Sequence, residues 1–329
     1  MVGRPSGTRT LDVWMNGELV GHWSVSGRQE KFRYSEAWAD SPFARPLSLS
    51  LPLAGRELSG EAVSNYFANL LPDSREILKR VAARFRARST GSFDLLEAIG
   101  RDCAGAIQLL PHDSERPHFD VIEAVDLSSG DVERMLDHTL DAPDPHHEAD
   151  EEDLRISIAG AQEKTALLKL DGRWCRPVGS TPTTHILKLP LGMVGRQRAD
   201  FSTSVENEWL CLELARACGF AAAKADMEHF GKHKVLVVER FDRRFEEENG
   251  RRWIARLPQE DFCQVFGLPP GAKYENEGGP GMDAILNKLR GSEDAASDRA
   301  NFLAAQLLFW MMAAPDGHAK NFSVFIEPQ

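Results

Sequence analysis

Asp316 and Asn321 stand in the stretch Ala313-Ala314-Pro315-Asp316-Gly317-His318-Ala319-Lys320-Asn321-Phe322 with the spacing D-x-x-x-x-N. Phosphotransfer enzymes use that spacing to seat a hydroxyl nucleophile beside a metal. An aspartate can orient and deprotonate the attacking hydroxyl. An asparagine carbonyl oxygen is a hard, neutral ligand suited to magnesium. Asp and Asn also populate ordinary turns, so the loop by itself has two readings. The apolar run 302–312 before it predicts a buried helix, and residues 323–326 after it a short strand. A loop at such a junction can present polar groups on rigid supports.

A second group of residues could hold the other reactant. Lys188 lies inside the apolar strand pattern of residues 184–189, where an ammonium without a partner is costly. It therefore needs a carboxylate or a phosphate. A helix begins at Ser204-Val205-Glu206-Asn207-Glu208 and runs to Cys218, closed by Gly219. Strand lysine followed by helix glutamate is the pairing a kinase uses to aim its lysine at the phosphates. Glu208 lies one turn into the helix, while Glu206 suits a first-turn charge matching the dipole. Spacing does not choose between them. Residues 156–158 and 165–170 read as two strands around Gly160, a hairpin whose turn could cover phosphates with backbone N–H groups. The pattern G-x-x-x-x-G-K-[ST] is absent, and an ordinary hairpin explains the same residues. The β-branched strand 234–240 leads into Phe241-Asp242-Arg243. As a kinase hinge, Glu239 and Phe241 would straddle the adenine contact and Asp242 could reach a ribose hydroxyl. A strand ending in a salt-bridged turn is the competing reading.

The supporting elements follow from periodicity and breakers. Asn16-Gly17 between alternating apolar residues predicts a hairpin over residues 11–25. Phe32 and Tyr34 continue the strand pattern, and residues 47–51 alternate as a further strand. Helices are expected at 64–71, at 75–87 with Asp73 or Ser74 as cap, at 93–99, and from Ser128 or Ser129 within 121–140. Residues 104–110 read as a strand. The arginines of 75–87 suit a solvated face better than a nucleic-acid surface. Residues 141–153, rich in Pro and acids, read as a linker, and His146-His147 there as solvated. Residues 190–202 read as loop and 274–282 as Gly-rich and mobile. Helices are expected at 257–266, 283–289 and 298–312. Strand-rich, then helix-rich, then the Asp316 loop is a two-lobed layout. The expected domains are 1–112, a small α+β module; 113–153, a helix and linker; and 154–329, the nucleotide-binding region.

Bulk properties narrow the classes. The chain of 329 residues is 42% apolar, which suits about two globular domains. Its formal charge is −11. Seven acids in 141–153 account for −7, leaving −4 elsewhere. A weakly acidic surface argues against direct, charge-driven nucleic-acid binding. The five cysteines form no C-x-x-C pair and fit a reducing cytosol, with Cys211 and Cys218 expected in the core. No signal peptide or membrane span is present in the pattern, so a cytoplasmic location is expected.

Several stretches together resemble the HipA family of bacterial toxin kinases. They are Leu-Leu-Pro-Asp at 70–73, Ile-Gly-Arg-Asp-Cys-Ala-Gly-Ala-Ile at 99–107 and Ser-Ile-Ala-Gly-Ala-Gln-Glu-Lys-Thr at 157–165. Further matches are His-Ile-Leu-Lys-Leu-Pro at 185–190, Ser-Val-Glu-Asn-Glu at 204–208, Val-Glu-Arg-Phe-Asp-Arg at 238–243 and Asp-Gly-His-Ala-Lys-Asn-Phe-Ser at 316–323. The resemblance implies an α+β, two-lobed, protein-kinase-like fold with a small N-terminal module. It implies a serine/threonine kinase using ATP and Mg2+. The implied substrate is a translation protein such as an aminoacyl-tRNA synthetase, and its phosphorylation arrests growth. The implied partner is a HipB-like helix-turn-helix antitoxin, through which DNA would mainly be reached. Carried onto matching positions, Asp316 is the base and Asn321 a magnesium ligand. Lys188 contacts phosphate, and residues 239–242 hold adenine and ribose. Ser157, Ala159, Gly160 and Lys164 form the phosphate-covering turn. His318 and Lys320 make nucleotide or loop-stabilising contacts. Ser157 matches the serine that the family autophosphorylates, and a phosphate there would hold the turn out of place.

One departure lies at the carboxyl end. Only 13 residues follow Asp316. A further strand, a second metal-binding aspartate and more helices are expected of a kinase and do not follow, so the helical lobe is incomplete and the expectation is weak or no catalysis. A catalytically deficient protein that binds the antitoxin or substrate is the alternative, and a small-molecule phosphotransferase a third reading.

Overall fold

The structure is a computed structural model describing residues 7–140, 156–160, 162–194 and 199–328. The expected linker at 141–153 lies outside them. Two compact units emerge, and neither is contiguous in sequence. One joins Leu11–Leu19 to Leu71–Leu257; the other contains Val20–Leu70 and Pro258–Gln329.

In the first unit a six-stranded antiparallel sheet runs Ala225–Phe230, His233–Glu239, His185–Lys188, Lys164–Leu170, Arg173–Pro177, Ala124–Asp126. Side chains alternate between faces of a strand, and the sequence uses both faces. Val235 and Val237 meet Leu167 and Leu187 under helix Ser129–Leu140, which contributes Val132 and Leu136. Leu236 and Val238 turn the other way, toward Val205, Trp209 and Leu212 of helix Ser204–Ala217. Two helices thus cover the two sides of strand His233–Glu239, the neighbour of the strand that carries Lys188. Strand Arg9–Met15 pairs antiparallel with Ile107–Pro111, register Leu11↔Pro111 to Met15↔Ile107.

In the second unit, strands Glu18–Ser26, Gln29–Tyr34 and Glu57–Ser59 lie in that antiparallel order. Helix Glu61–Ala68 packs on them. Phe67 stacks on Trp23 at 3.8 Å between centroids and tilts against Phe32. The carboxyl-terminal part supplies strand Gln259–Asp261, paired with Ser323–Phe325, and helices Phe262–Val265, Met282–Lys288 and Ala295–Met311. Phe262, Val265, Ile285, Leu289 and Phe302 form its core. Buried polar groups tie the two parts of this unit together. Glu260 accepts from Ser48 Oγ at 2.5 Å and from the Leu49 N–H at 2.7 Å. Asn65 and Asn69 donate to the carbonyls of Gly267 and Leu268 at 2.8 Å.

Several expectations hold. Asn16 and Gly17 take φ of 43° and 79°, the left-handed pair of a tight turn. Ser74 caps helix Arg75–Arg84 by accepting from the Ile77 N–H. Others are corrected. Residues 47–51 are a tight turn, with the Leu51 N–H bonded to the Ser48 carbonyl; Glu260 takes the polar groups a neighbouring strand would have used. The helix expected at 257–266 shrinks to Phe262–Val265. Residues 259–261 are committed to strand pairing, and Asp261 closes a capping box with Gln264. Residues 156–170 are not a hairpin. Ile156–Ser157 pairs parallel to Asp102–Cys103, while Lys164–Leu170 joins the large sheet. Residues 190–202 contain a small ladder, Gly192–Val194 with Ala199–Phe201. Residues 274–282 hold a 3-10 turn, Glu275–Glu277. Helix Ala295–Met311 is not buried all round. Phe302 and Leu308 are buried, but Leu303, Leu307, Trp310 and Met311 lie on the exposed side. Cys211 is half-buried and Cys218 exposed, so neither is a core residue.

Candidate active site

The Asp316 loop is fixed from three directions within its unit. The long helix stops at Met312, and Ala313 takes a positive φ of 51° that turns the chain. Gly317 lies so close to Phe309 that a Cβ would sit 2.7 Å from the ring, so only glycine fits. The 3-10 turn Ala319–Asn321 then leads into strand Ser323–Phe325. Asp316 Oδ1 accepts from the Tyr274 hydroxyl at 2.7 Å and lies 3.5 Å from His318 Nε2. Asn321 Nδ2 donates to the Asp316 carbonyl and stands 3.5 Å from Oδ2. The Asp316 side chain is 71% exposed, whereas that of His318 is 5% exposed and its ring meets Tyr274 edge-on at 4.9 Å. A carboxylate is thus offered to solvent beside the buried His318 and the half-buried Tyr274.

Lys320 takes the second of its two expected roles. Its ammonium is buried, donates to Asn69 Oδ1 at 3.0 Å and to the Asn69 carbonyl at 3.2 Å, and lies 3.9 Å from Asp261. It anchors the loop. The oxygens of Asp316 and Asn321 are hard donors on neighbouring positions, a donor set that fits magnesium with water completing the shell.

Lys188 and Glu208 form the ion pair, Nζ to Oε1 at 2.5 Å, both partly buried. Glu206 pairs instead with Lys234, which resolves the alternative left open by spacing. Lys188 stands directly opposite Lys164 in the sheet. Like charges there repel, so each needs its own acceptor. Lys188 has Glu208; Lys164 donates to the Ala159 carbonyl and lies over Gly160, whose φ is 112°. The Asp73 N–H bonds the Gly160 carbonyl at 3.1 Å. Ser157 is fully buried.

At the end of strand His233–Glu239, Glu239 pairs with Lys224 at 3.3 Å, and its N–H bonds the Lys224 carbonyl. Phe241 is 56% exposed. Asp242 is buried, and this corrects its ribose assignment. Its oxygens accept from Arg240 Nε at 3.0 Å, Arg240 Nη2 at 2.9 Å and the Gly105 N–H at 2.7 Å. Burial alone would raise its pKa; Arg240 and Arg243 outweigh that and hold the carboxyl below its usual range. The salt-bridged turn is what the sequence builds there. Sequence reasoning missed Tyr274, which lies 42 residues from Asp316 in a stretch without periodicity. It also missed Asp102 and Arg256, which join the buried Arg240–Asp242–Arg243 cluster.

A lysine strand, a pairing glutamate helix and a D-x-x-x-x-N loop on an α+β scaffold define the protein-kinase class. The comparisons agree. Residues 11–110 match the HipA N-terminal domain and residues 156–329 the HipA-like C-terminal domain. A Sinorhizobium fredii protein named "Putative kinase Y4mE" is 36% identical over 98% of this chain and 74% of its own. The Serine/threonine-protein kinase toxin HipA of Shewanella oneidensis is 29% identical over 98% of this chain and 72% of its own. The solved Shewanella oneidensis HipA, in complex with HipB and operator DNA, superposes with a TM-score of 0.76. It is 25% identical over 97% of this chain and 73% of its own. The chain belongs to the HipA family of serine/threonine kinases.

Proposed function

We propose that the chain transfers the γ-phosphoryl group of ATP to a protein hydroxyl, within a toxin–antitoxin pair. The observation that carries this reading is the Lys188–Glu208 ion pair on a two-sided sheet. Glu208 holds the lysine in place for phosphate oxygens. Asp316 receives the proton of the attacking hydroxyl and is oriented for it by Tyr274. Asp316 and Asn321 would hold magnesium, which neutralises phosphate charge when bound. Glu239 and the exposed Phe241 serve adenine through the end of their strand. Lys164 with Ala159 and Gly160 shapes the phosphate-covering segment. His318 supports Asp316 from below. Ser157 is the candidate autophosphorylation site. Its burial means that the segment must leave its place before a phosphate is added, and the added charge then opposes return.

The partner of the reading is a HipB-like DNA-binding antitoxin, as in the Shewanella complex. The substrate class is a translation protein such as an aminoacyl-tRNA synthetase, and the setting is the cytoplasm. No helix among the described residues is long and apolar enough to cross a membrane.

Calorimetry with ATP and magnesium, together with radiolabel transfer, tests the reading. Asp316→Asn should keep nucleotide binding and lose about a thousandfold in turnover. Lys188→Ala should weaken nucleotide binding by about tenfold or more. Antitoxin binding without any nucleotide binding would favour a purely sequestering role and overturn the kinase reading.

A further inference from the structure

The motif at 99–107 has no part in the roles above, yet its centre is densely bonded. Asp102 is fully buried. Its Oδ2 accepts from Thr183 Oγ1 at 2.6 Å, the Thr183 N–H at 3.1 Å and Arg240 Nη1 at 3.3 Å. Its Oδ1 accepts from Arg243 Nη2 at 2.8 Å, with Arg256 Nε 3.5 Å away. The next residue is bound to the same arginines: the Cys103 carbonyl accepts from Arg240 Nη2 and Arg243 Nη2, both at 2.8 Å. Gly105 closes the ring, its N–H on Asp242 and its carbonyl on Arg243. Burying three guanidiniums with two carboxylates is costly unless most donors are met; here the Nη groups of Arg240 and Arg243 are met while Arg243 Nε and Arg256 Nε are left over, so the cluster has little room to rearrange.

The same two residues carry the Ser157 segment. Asp102 and Cys103 pair in parallel with Ile156 and Ser157. The backbone that docks Ser157–Gly160 is therefore locked to Arg240–Arg243, the residues that follow the proposed adenine contact. Thr183 lies immediately before Thr184, whose carbonyl accepts from the Arg240 N–H at 2.9 Å. Segments far apart in sequence meet at one carboxylate.

We propose that Asp102 is a positioning residue that holds the phosphate-covering segment 157–160 in register with the hinge 239–243. This rests on the kinase reading for its catalytic consequence, although not for its structural one. Loosening the clamp frees the Ser157 segment, and with it the serine, while strand His185–Lys188 and its ion pair stay in place. Nucleotide affinity then falls without loss of the base Asp316.

Asp102→Asn leaves three buried arginines against one carboxylate and can unfold the chain, so the decisive variant is Thr183→Val. It removes the hydroxyl's bond to Asp102 and the acceptor it offers Arg240 Nη1 at 2.9 Å, and keeps the charge balance. Hydrogen–deuterium exchange on the intact chain should rise about fivefold in peptides covering 156–160 and 239–243, with helix Ser129–Leu140 unchanged. The KM for ATP should rise about fivefold with kcat within twofold, and Thr183→Ser, which restores the hydroxyl, should return both to wild-type values. Unchanged exchange at 156–160, or an equal rise across the whole unit, overturns the proposal. A wild-type chain that binds no ATP overturns the kinase reading instead, and the exchange measurement still decides the clamp.

Discussion

Asp316 is exposed, yet its geometry is set by its neighbours, the half-buried Tyr274 and the buried His318. The Tyr274 hydroxyl donates to Oδ1 and restricts the carboxylate to one orientation. Removing that donor leaves the base present but less well aimed. Tyr274→Phe is expected to lower kcat by about five- to tenfold while leaving the KM for ATP near its wild-type value. Steady-state kinetics on the purified chain reads this; a change confined to KM would contradict it. Lys320 illustrates the opposite case. The family resemblance leaves nucleotide contact and loop support both open for it, and its ammonium is bound to Asn69. Lys320→Met is therefore expected to lower the melting temperature more than it changes nucleotide affinity, since it strands two buried acceptors.

At the scale of elements, the sheet that carries Lys188 depends on being covered on both sides. Helix Ser129–Leu140 buries Val132 and Leu136 completely against Leu167, Leu187 and Val235. Leu136→Ala leaves a cavity over the lysine strand and should cost about 2–5 kcal/mol in denaturant unfolding. The same truncation at Leu307, exposed on helix Ala295–Met311, should cost well under 1 kcal/mol. Equal losses at the two sites would mean that the exposed side of that helix is covered in solution.

The unit that joins residues 20–70 to 258–329 is stitched by long-range polar bonds, and one of them makes stability depend on pH. Glu260 is buried against residues 48 and 49, more than 200 positions away. Burial pushes its carboxyl up from 4.5 to about 7, despite the bonds from the Leu49 N–H and Ser48 hydroxyl. The folded chain holds this proton more tightly than the unfolded one. The stability it brings is full below about pH 4.5 and is lost as the pH rises through about 7. Glu260→Gln keeps the acceptor and removes the titration, so its melting temperature should fall less between pH 5 and pH 8 than that of the wild type. Parallel curves for the two proteins would contradict this.

The sequence by itself determined the local chemistry. The Asn16-Gly17 turn, a cap at Asp73 or Ser74, the strand around Lys188 and the Asp316 loop depend on neighbouring residues, and propensity and periodicity report neighbours. The motifs also sufficed to place the chain in its family. Only the tertiary structure decided which glutamate meets Lys188, that Asp242 faces inward to Arg240, and that residues 47–51 turn onto Glu260 instead of forming a strand. It also grouped residues 20–70 with 258–329. Each of these outcomes depends on desolvation by segments distant in the chain. A buried charge takes the best partner in space, and linear order carries no record of which partner that is.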